Sequence, residues 1–254
     1  MTLSYKTALI TGGAKRIGKA ITEHLAQNGW AVAIHCNSSR AAGDEMAAEI
    51  NASGGRAAVI AADLGDLSAV KTIFPQAVEA LGPVNLLVNN ASVFEADDIL
   101  SMSEETWAFH QAINLTAPAF LTQAFAAQLP EGESGNVVNI IDQRVLKLSP
   151  EFFSYQLTKS ALWVATRTLA QSLAPTIRVN AISPGPTIQN ARQRPEDFQA
   201  QLDGLLLKKG AKLEEFGRTI RYLVETPSIT GQMICLDGGQ HLAWETPDIA
   251  GIPE

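Results

Sequence analysis

The chain has 254 residues, of which 46% are hydrophobic and 18% are charged, and this size suits one large α/β domain. Its net charge of -7 argues against nucleic acid or an anionic membrane surface as a main partner. The two cysteines, Cys36 and Cys235, form no CxxC pair, and no apolar run approaches the roughly 18 residues of a membrane span. We therefore expect a soluble, cytoplasmic protein with a single domain over residues 1–254.

The first predicted unit is a strand, a glycine turn and a helix. The apolar residues 7–10 form the strand, the turn runs from Thr11 to Gly18, and the helical stripe that begins at Ile17 ends before Asn28. This order places backbone N–H groups and a helix N-terminus against a phosphate. The spacing from Gly12 to Gly18 is not the GxGxxG of most dinucleotide sites, so a tight strand-to-helix connection remains the alternative.

The second predicted strand, residues 31–35, ends in a polar run that bears on the choice of cofactor. No carboxylate follows it before Asp44, so nothing there would repel a ribose 2′-phosphate. Donors at the strand end and two cations in the glycine turn favour NADPH over NADH; these residues are His35, Asn37, Ser38, Ser39, Lys15 and Arg16. The alternative is a polar loop whose serines cap a helix predicted over residues 40–53.

Strands and helices alternate through the remaining chain. Further strands are predicted at residues 57–62, 85–88, 137–141, 177–182 and 233–236. The alternation predicts an α/β fold with a doubly wound, mostly parallel sheet and helices on both faces. Ligands bind at the carboxyl ends of such strands. The polar segment of residues 187–212 follows the sixth strand and is a candidate lid.

Tyr155 and Lys159 lie four residues apart in a helical pattern, so both side chains leave the same helix face. A phenol beside an ammonium can act as a general acid, because the ammonium favours the phenolate. By itself this spacing is common and is usually a solvated helix face. Asn114, inside another helical region, has either a specific hydrogen-bonding task or simple exposure. Ser101-x-x-Glu104 resembles a capping box at the start of that region.

The motifs together resemble the short-chain dehydrogenase/reductase superfamily over nearly the whole chain. They are Thr11-Gly12 with Gly18, Asn89-Asn90-Ala91, Asn114, Tyr155-x-x-x-Lys159 and Pro184-Gly185. The resemblance implies a Rossmann fold, a bound nicotinamide dinucleotide and a homo-oligomer, which in this superfamily is usually a tetramer and occasionally a dimer. It implies Tyr155 as proton donor, Lys159 holding the nicotinamide ribose, and Asn114 in a proton relay. The cofactor-binding positions are then Gly12, Lys15, Arg16, Ile17, Gly18, His35, Asn37, Ser38, Ser39, Asp63, Leu64, Asn90, Ala91, Ser92, Tyr155, Lys159, Pro184 and Gly185.

Asp142 departs from the superfamily, which normally has a serine at this position, thirteen residues before the tyrosine. The serine hydroxyl donates a hydrogen bond to the substrate's carbonyl oxygen, whereas an ionised carboxylate only accepts. Loss of one such donor costs about 2.7–4 kcal/mol of transition-state stabilisation. An ordinary ketone is therefore a poor candidate substrate, and a cyclic C=N bond with N–H donors fits better. The carboxylate would also disfavour the phenolate and keep Tyr155 protonated.

The glycine turn, the run from Asn90 to Phe94, and Asp142 with Tyr155 resemble the pteridine reductases in particular. The resemblance implies that Arg16 touches cofactor phosphate and pterin, that Phe94 stacks the pterin against the nicotinamide, and that Ser92 supplies a hydrogen bond. The substrate-binding positions are then Arg16, Ser92, Phe94, Asp142, Tyr155 and Pro186. Two positions depart from that family: Val93 replaces a serine, and Ser38 stands where an arginine often meets the 2′-phosphate.

Each of these residues also has an ordinary interpretation. Phe94 can be core, Asp142 a loop cap, and Arg16 a solvated residue at a helix start. None of the four histidines clusters with cysteines or carboxylates at ligand spacing, so we expect no metal.

The resulting hypothesis is an NADPH-dependent reductase of a dihydropterin, dihydromonapterin or dihydrofolate. A hydride would reach a ring carbon of a C=N bond, with Tyr155 or a water that it positions protonating the adjacent nitrogen. One alternative is a reductase of another carbonyl or acyl substrate, of the 3-oxoacyl type. The other is an NADPH-binding sensor without turnover.

Overall fold

A computed structural model of the chain describes residues 5–190, 192–246, 248 and 250–251. Seven strands form one parallel sheet in the order β3-β2-β1-β4-β5-β6-β7. They are β1 (Thr7–Ile10), β2 (Ala31–Cys36), β3 (Ala57–Ala61), β4 (Leu86–Asn89), β5 (Gly135–Ile140), β6 (Ile177–Pro184) and β7 (Met233–Leu236). The predicted doubly wound α/β fold is confirmed.

The helices also lie where the sequence pattern predicts them, within a few residues at each end. They are α1 (Arg16–Gln27), α2 (Arg40–Ala52), α3 (Leu67–Leu81), α4 (Glu104–Gln111), α5 (Ala117–Gln128), α6 (Phe153–Leu173), α7 (Pro195–Asp203) and α8 (Leu213–Glu225). A π-helical turn, Ala112–Thr116, joins α4 to α5, and short 3₁₀ turns cover Gln143–Val145 and Gln240–Leu242. No helix in the described ranges is long and apolar enough to cross a bilayer.

Two large apolar cores cover the two faces of the sheet, and a smaller cluster of Ile141, Leu162 and Ala181 accompanies them. Successive residues of a strand point to opposite faces, so Leu9 belongs to one core while Ala8 and Ile10 belong to the other. Helices α3, α5 and α6 contribute to the Leu9 core, and α1, α2 and α8 to the opposite one. The continuous apolar runs of the central strands follow from this double coverage.

The start of α4 differs from the capping box expected at Ser101-x-x-Glu104. The hydroxyl of Ser103, not Ser101, accepts the hydrogen bond of the Thr106 N–H that caps the helix, at 3.1 Å. Ser101 instead donates to the carboxylate of Asp98 in the preceding turn, at 3.0 Å. Both serines satisfy a local capping pattern, and the pattern alone does not choose between them.

The strand order reverses between β1 and β4, and this reversal determines where a binding cleft forms. Strand β1 pairs with β2 on one side and with β4 on the other, so the connections after β1 and β4 leave in opposite directions. A crevice forms outside the carboxyl ends of the strands at such a point.

Arg178 on β6 makes hydrogen bonds to backbone carbonyls at and just after the end of α8. Its guanidinium donates to the carbonyl oxygens of Leu223 at 2.7 Å, Val224 at 2.8 Å and Ile229 at 2.8 Å. The first two are among the last carbonyls of α8, which have no partner within the helix. Arg178 therefore caps α8 from a neighbouring strand.

We expect Arg178→Met to lower the free energy of unfolding by about 2–3 kcal/mol, because it leaves the partly buried carbonyls of Leu223 and Val224 without donors, whereas Asn180 still donates to Ile229. Urea denaturation measures this loss. Arg167→Met is the matched control, because Arg167 is exposed on α6 and, among the described residues, its guanidinium contacts the Trp163 ring alone, 5.9 Å from the ring centre. Equal losses for the two variants would contradict the capping role.

Candidate active site

A cleft of about 860 Å³ opens at the carboxyl ends of the strands. It brings together every predicted site residue except Asn114. Those lining it are Gly12, Lys15, Arg16, Ile17, Gly18, His35, Asn37, Ser38, Ser39, Asp63, Leu64, Asn90, Ala91, Ser92, Phe94, Asp142, Tyr155, Lys159, Pro184, Gly185 and Pro186. The individual roles of these residues remain predictions.

The glycine turn after β1 is closed so tightly that only glycine fits at its end. A Cβ on Gly18 would lie 2.1 Å from the carbonyl oxygen of Gly12, and Gly12 itself has a φ of 61°. The side chain of Asn90 donates to the Thr11 carbonyl at 2.8 Å, and the Thr11 hydroxyl accepts from the Asn90 N–H at 2.9 Å. The end of β4 thus holds the turn in place.

Helix α1 begins directly after this turn without a side-chain cap, since Lys15 at its N-cap makes no capping hydrogen bond. Its first N–H groups therefore remain available to an anion. Lys15 and Arg16 add positive charge at the same end of the cleft. This arrangement fits the phosphates of a dinucleotide.

His35 does not present a free ring nitrogen to a 2′-phosphate. Its Nδ1 accepts from the Gly12 N–H at 3.2 Å, so Nε2 carries the proton and donates to the Ala62 carbonyl at 3.1 Å. Burial lowers the pKa of His35 to about 4, which keeps the ring neutral. The expected phosphate contact through this ring is corrected accordingly: His35 fixes the glycine turn instead.

The serines after β2 remain candidates for that phosphate. The alternative that they cap α2 is not supported at the N-cap, where Ser39 makes no side-chain capping bond. Arg40 is not among the cleft residues and pairs with Asp44 at 3.6 Å.

Asp142 and Tyr155 meet inside the cleft. The phenol of Tyr155 donates to Oδ2 of Asp142 at 2.8 Å, and Oδ1 accepts from the Arg144 N–H at 2.8 Å. Burial raises the pKa of Tyr155 well above its usual value, and the charge of Asp142 adds to the rise. Burial also raises the pKa of the Asp142 carboxyl. Asp142 is thus both a loop cap and the partner of Tyr155, which stays protonated at neutral pH.

Lys159 lies one helical turn beyond Tyr155 and is only 2% exposed. Its ammonium donates to the carbonyl of Ile140 at 2.9 Å and lies 5.8 Å from the centre of the Tyr155 ring. Burial lowers the pKa of Lys159 to about 8, and no acidic side chain pairs with it directly among the described residues.

Asn114 is buried in the π-helical turn and does not line the cleft. Its Oδ1 accepts from the Val93 N–H at 2.9 Å and from the Ser92 hydroxyl at 3.0 Å, and its Nδ2 donates to the Val93 carbonyl at 3.0 Å. The alternative of simple exposure is therefore wrong. The side chain holds the loop after β4, and its share in a proton relay remains a prediction.

Phe94 belongs to an aromatic cluster that the sequence did not reveal. Its ring stacks on Phe152 with centroids 4.2 Å apart and meets the Tyr155 ring edge-on at 4.6 Å. Phe152 does not line the cleft, whereas Phe94 does, so Phe152 supports Phe94 from behind. The guanidinium of Arg144 lies 4.9 Å from the Phe152 centroid and also lines the cleft.

Residues 187–212 cover one side of the cleft, although Ala191 lies outside the described residues. Arg16 donates to the carbonyls of Ile188 at 3.1 Å and Gln189 at 3.3 Å, a use that the sequence did not predict. Arg192 pairs with Glu95 at 2.6 Å and also donates to the Phe94 carbonyl. These contacts tie the segment to the glycine turn and to the loop after β4.

Two carboxamides in the cleft lining have acceptor oxygens without a partner. Gln143 is 6% exposed, and neither its Oε1 nor that of Gln240 has a hydrogen-bond partner within the described part of the chain. A buried acceptor without a donor is costly. Both oxygens are enclosed by protein, so a ligand donor reaches them only if the carboxamides turn towards the cleft.

Comparison with known proteins gives the family. The short chain dehydrogenase family profile matches residues 6–199. The chain belongs to the short-chain dehydrogenases. It is an oxidoreductase of that type. A 3-oxoacyl-(acyl-carrier-protein) reductase of Synechocystis is 31% identical, over 93% of this chain and 97% of the relative.

Two solved structures are more similar. FolM alternative dihydrofolate reductase 1 from Brucella canis, complexed with NADP, is 56% identical with a TM-score of 0.95, over 97% of this chain and 98% of that chain. The Brucella suis protein of the same name, also with NADP, gives 56% and 0.95, over 98% and 100%. The resemblance to a pteridine-reductase-like branch is confirmed.

Lys159 should make the stability of the protein depend on pH. Its folded pKa of about 8 lies below the usual 10.5, so the unfolded chain holds the proton more tightly. The penalty, about 3 kcal/mol, is complete below pH 8 and disappears as the pH rises towards 10.5. Lys159→Met should therefore stabilise the protein relative to wild type at pH 7, and most of this advantage should be lost by pH 10.

Urea denaturation of both proteins at pH 7 and pH 10 measures the difference. Lys71→Met, an exposed lysine on α3, is the control and should show no such change. If the stability difference between Lys159→Met and wild type does not change with pH, the pKa of Lys159 is not lowered by folding and the prediction is wrong.

Proposed function

We propose that this protein is an NADPH-dependent reductase of a pteridine, namely a dihydropterin, dihydromonapterin or dihydrofolate. The observation that carries the proposal is the hydrogen bond from Tyr155 to Asp142 within the cleft. It places a proton donor and an acceptor-only group side by side where a substrate would lie. The FolM relatives, named as alternative dihydrofolate reductases and solved with NADP, support both the substrate class and the cofactor.

A pteridine matches the hydrogen-bonding groups of the cleft. Its amino group and ring N–H groups donate, and the Asp142 carboxylate in the cleft lining accepts. Its flat ring system can stack on Phe94, whose other face is supported by Phe152. A simple ketone has no hydrogen-bond donor for the Asp142 carboxylate. Its carbonyl oxygen needs a donor, which an ionised Asp142 cannot supply.

Asp142 and Tyr155 divide the work of binding and protonation. NADPH, when bound, supplies the hydride. An amino group that donates to Asp142 would compete with the Tyr155 phenol for the carboxylate, which frees the phenol to turn towards a ring nitrogen. Tyr155 then donates its proton directly or through a water, and the ammonium of Lys159 stabilises the phenolate that remains.

The phosphate end of the cleft would hold NADPH through the first N–H groups of α1 together with Lys15 and Arg16. Ser38, Ser39 and Asn37 supply neutral donors for the 2′-phosphate, in place of the arginine that related reductases often use. To contact a phosphate, the Arg16 guanidinium must break its hydrogen bonds to the carbonyls of Ile188 and Gln189. We therefore propose that residues 187–212 act as a lid that moves when ligands bind.

The second candidate is a carbonyl reductase, and the similarity to 3-oxoacyl reductases favours it. It requires a water to replace the missing serine hydroxyl, because Asp142 cannot donate when ionised. A sensor without turnover is opposed by the hydrogen bond from Tyr155 to Asp142 in the cleft, because holding a cofactor does not need that contact.

The test follows NADPH absorbance with dihydrobiopterin, dihydromonapterin, dihydrofolate and an acetoacetyl thioester as separate substrates. We expect turnover of at least one pteridine, with a loss of about 10²-fold or more in Tyr155→Phe and in Asp142→Ala, because each removes a group that acts on the reacting atoms. Thioester turnover that is undiminished in Asp142→Ala would favour the carbonyl reductase. Tight NADPH binding with no turnover of any substrate would favour the sensor.

We also propose a cytoplasmic homotetramer. Free Cys36 and Cys235 suit a reducing compartment. Several large apolar side chains on the outer faces of α4, α5 and α6 are exposed in the single chain: Trp107, Phe120, Leu157 and Val164. Such a surface is typical of a contact between subunits.

Light scattering should give a mass of four 27.1 kDa chains, and Val164→Glu should lower this mass. A monomer at micromolar concentration would contradict the proposal.

A further inference from the structure

Helix α6, which carries Tyr155, begins without a cap of its own. Phe152 occupies its N-cap position in a left-handed conformation, with a φ of 57°, and makes no side-chain capping bond. That conformation is strained for a residue with a side chain, and the first N–H groups of a helix need acceptors. Something outside the helix must supply them.

Asp97, far upstream in the loop after β4, supplies the missing cap. Its backbone carbonyl accepts from the N–H groups of Phe152 at 2.7 Å and Phe153 at 3.3 Å. Its carboxylate accepts from the Ser154 N–H at 3.2 Å and from the Ser154 hydroxyl. Asp97 is 8% exposed, so these bonds are shielded from water. The residue before Tyr155 is thereby held to the loop that carries Phe94.

His110 on α4 completes a chain of hydrogen bonds with one direction. Its Nε2 accepts from the Glu95 N–H at 3.0 Å, which leaves the proton on Nδ1 to be donated to the Ser154 hydroxyl at 2.6 Å. The hydroxyl in turn donates to Asp97. His110 and Ser154 are both 0% exposed. Since its proton is directed at Asp97 and no solvent reaches it, Ser154 is not placed to be a nucleophile.

We propose that Asp97, Ser154 and His110 form a buried positioning unit that orients Tyr155 and sets the Phe94–Phe152 stack for the reaction. The unit joins the two elements that carry these rings, because Glu95 follows Phe94 and Ser154 lies between Phe152 and Tyr155. The His110 ring itself meets the Tyr155 ring at 6.0 Å. This inference rests on the proposed function in that Tyr155 is taken as the acid.

A positioning role accounts for the three buried polar side chains of Asp97, Ser154 and His110 behind the cleft. None of the three lines the cleft, so none is available to a substrate or cofactor. A polar network that is fully satisfied gives its surroundings one defined geometry. Misplacement of reacting groups by about 1 Å can lower a rate by about 10²-fold.

The test compares His110→Phe, Ser154→Ala and the double variant with Thr122→Ala. Thr122 is 1% exposed on α5 and donates only to the Pro118 carbonyl, so it matches Ser154 in burial and lies outside the unit. With NADPH and a pteridine that wild type reduces, we expect each single variant of the unit to lower kcat about 10- to 100-fold. The KM for NADPH should stay within about twofold, because the glycine turn is untouched.

Non-additivity separates a unit from three independent residues. The double variant should lose no more kcat than the worse single variant, because either change breaks the same chain of bonds. Thr122→Ala should lose thermal stability comparably and keep its kcat. A full kcat in His110→Phe or Ser154→Ala despite a lower Tm, or losses that multiply in the double variant, would overturn the inference.

A readout without substrate keeps this inference apart from the proposed function. In a crystal structure of Ser154→Ala we expect the Phe94 and Phe152 centroids, now 4.2 Å apart, to separate and the Tyr155 phenol to leave Asp142. An unchanged ring stack and an unchanged phenol–carboxylate contact would overturn the positioning unit. Failure of wild type to oxidise NADPH with any pteridine would instead overturn the substrate proposal.

Discussion

The hydrogen bond between Tyr155 and Asp142 is the contact on which the site depends. Asp142 is delivered by the end of β5 and Tyr155 by the first turn of α6, and the two meet because α6 packs on β6, the strand next to β5, and on the short turn that follows Asp142. Burial of the pair, and of Lys159 next to it, moves all three groups away from their ordinary ionisation. That arrangement is unfavourable by itself, and the two apolar cores that fix the strands and α6 keep it in place.

The course of the fold followed from local signals. Continuous apolar runs predicted the strands, and Asn28 marked the end of the first helix, so type and order agree with the structure while boundaries shift by up to a few residues. The errors lie where several residues satisfy one local rule. Ser101 and Ser103 both suit a helix cap, and only packing selects Ser103. The π-helical turn that buries Asn114 likewise has no distinct sequence signal, because its burial is decided by contacts with the loop after β4 and with α6.

The candidate site was predictable where each residue sits at a strand end or beside Tyr155 in the same helix. It was not predictable where partners are distant in sequence. His35 looked like a phosphate donor, yet both ring nitrogens are used by the backbone of Gly12 and Ala62. Arg192 holds the loop after β4 from almost a hundred residues away, and Asp97 caps α6 across a separation of 57 residues. Such contacts depend on the assembled sheet, so no local pattern announces them.

The charge of the Asp142 carboxylate is what distinguishes a pteridine from a ketone as the substrate under the proposed function. A unit negative charge that develops about 4 Å from the Asp142 carboxylate is disfavoured by about 4 kcal/mol at an effective dielectric constant near 20. A substrate that gains a proton on nitrogen, or brings an amino group, is favoured by the same field with the opposite sign. Dehydrogenases with a serine at this position use the same sheet, glycine turn and Tyr-Lys pair without that penalty. Because the scaffold is shared, the family alone does not determine the substrate, and under the proposed function the carboxylate at residue 142 is the group that would favour a nitrogen heterocycle over a carbonyl compound.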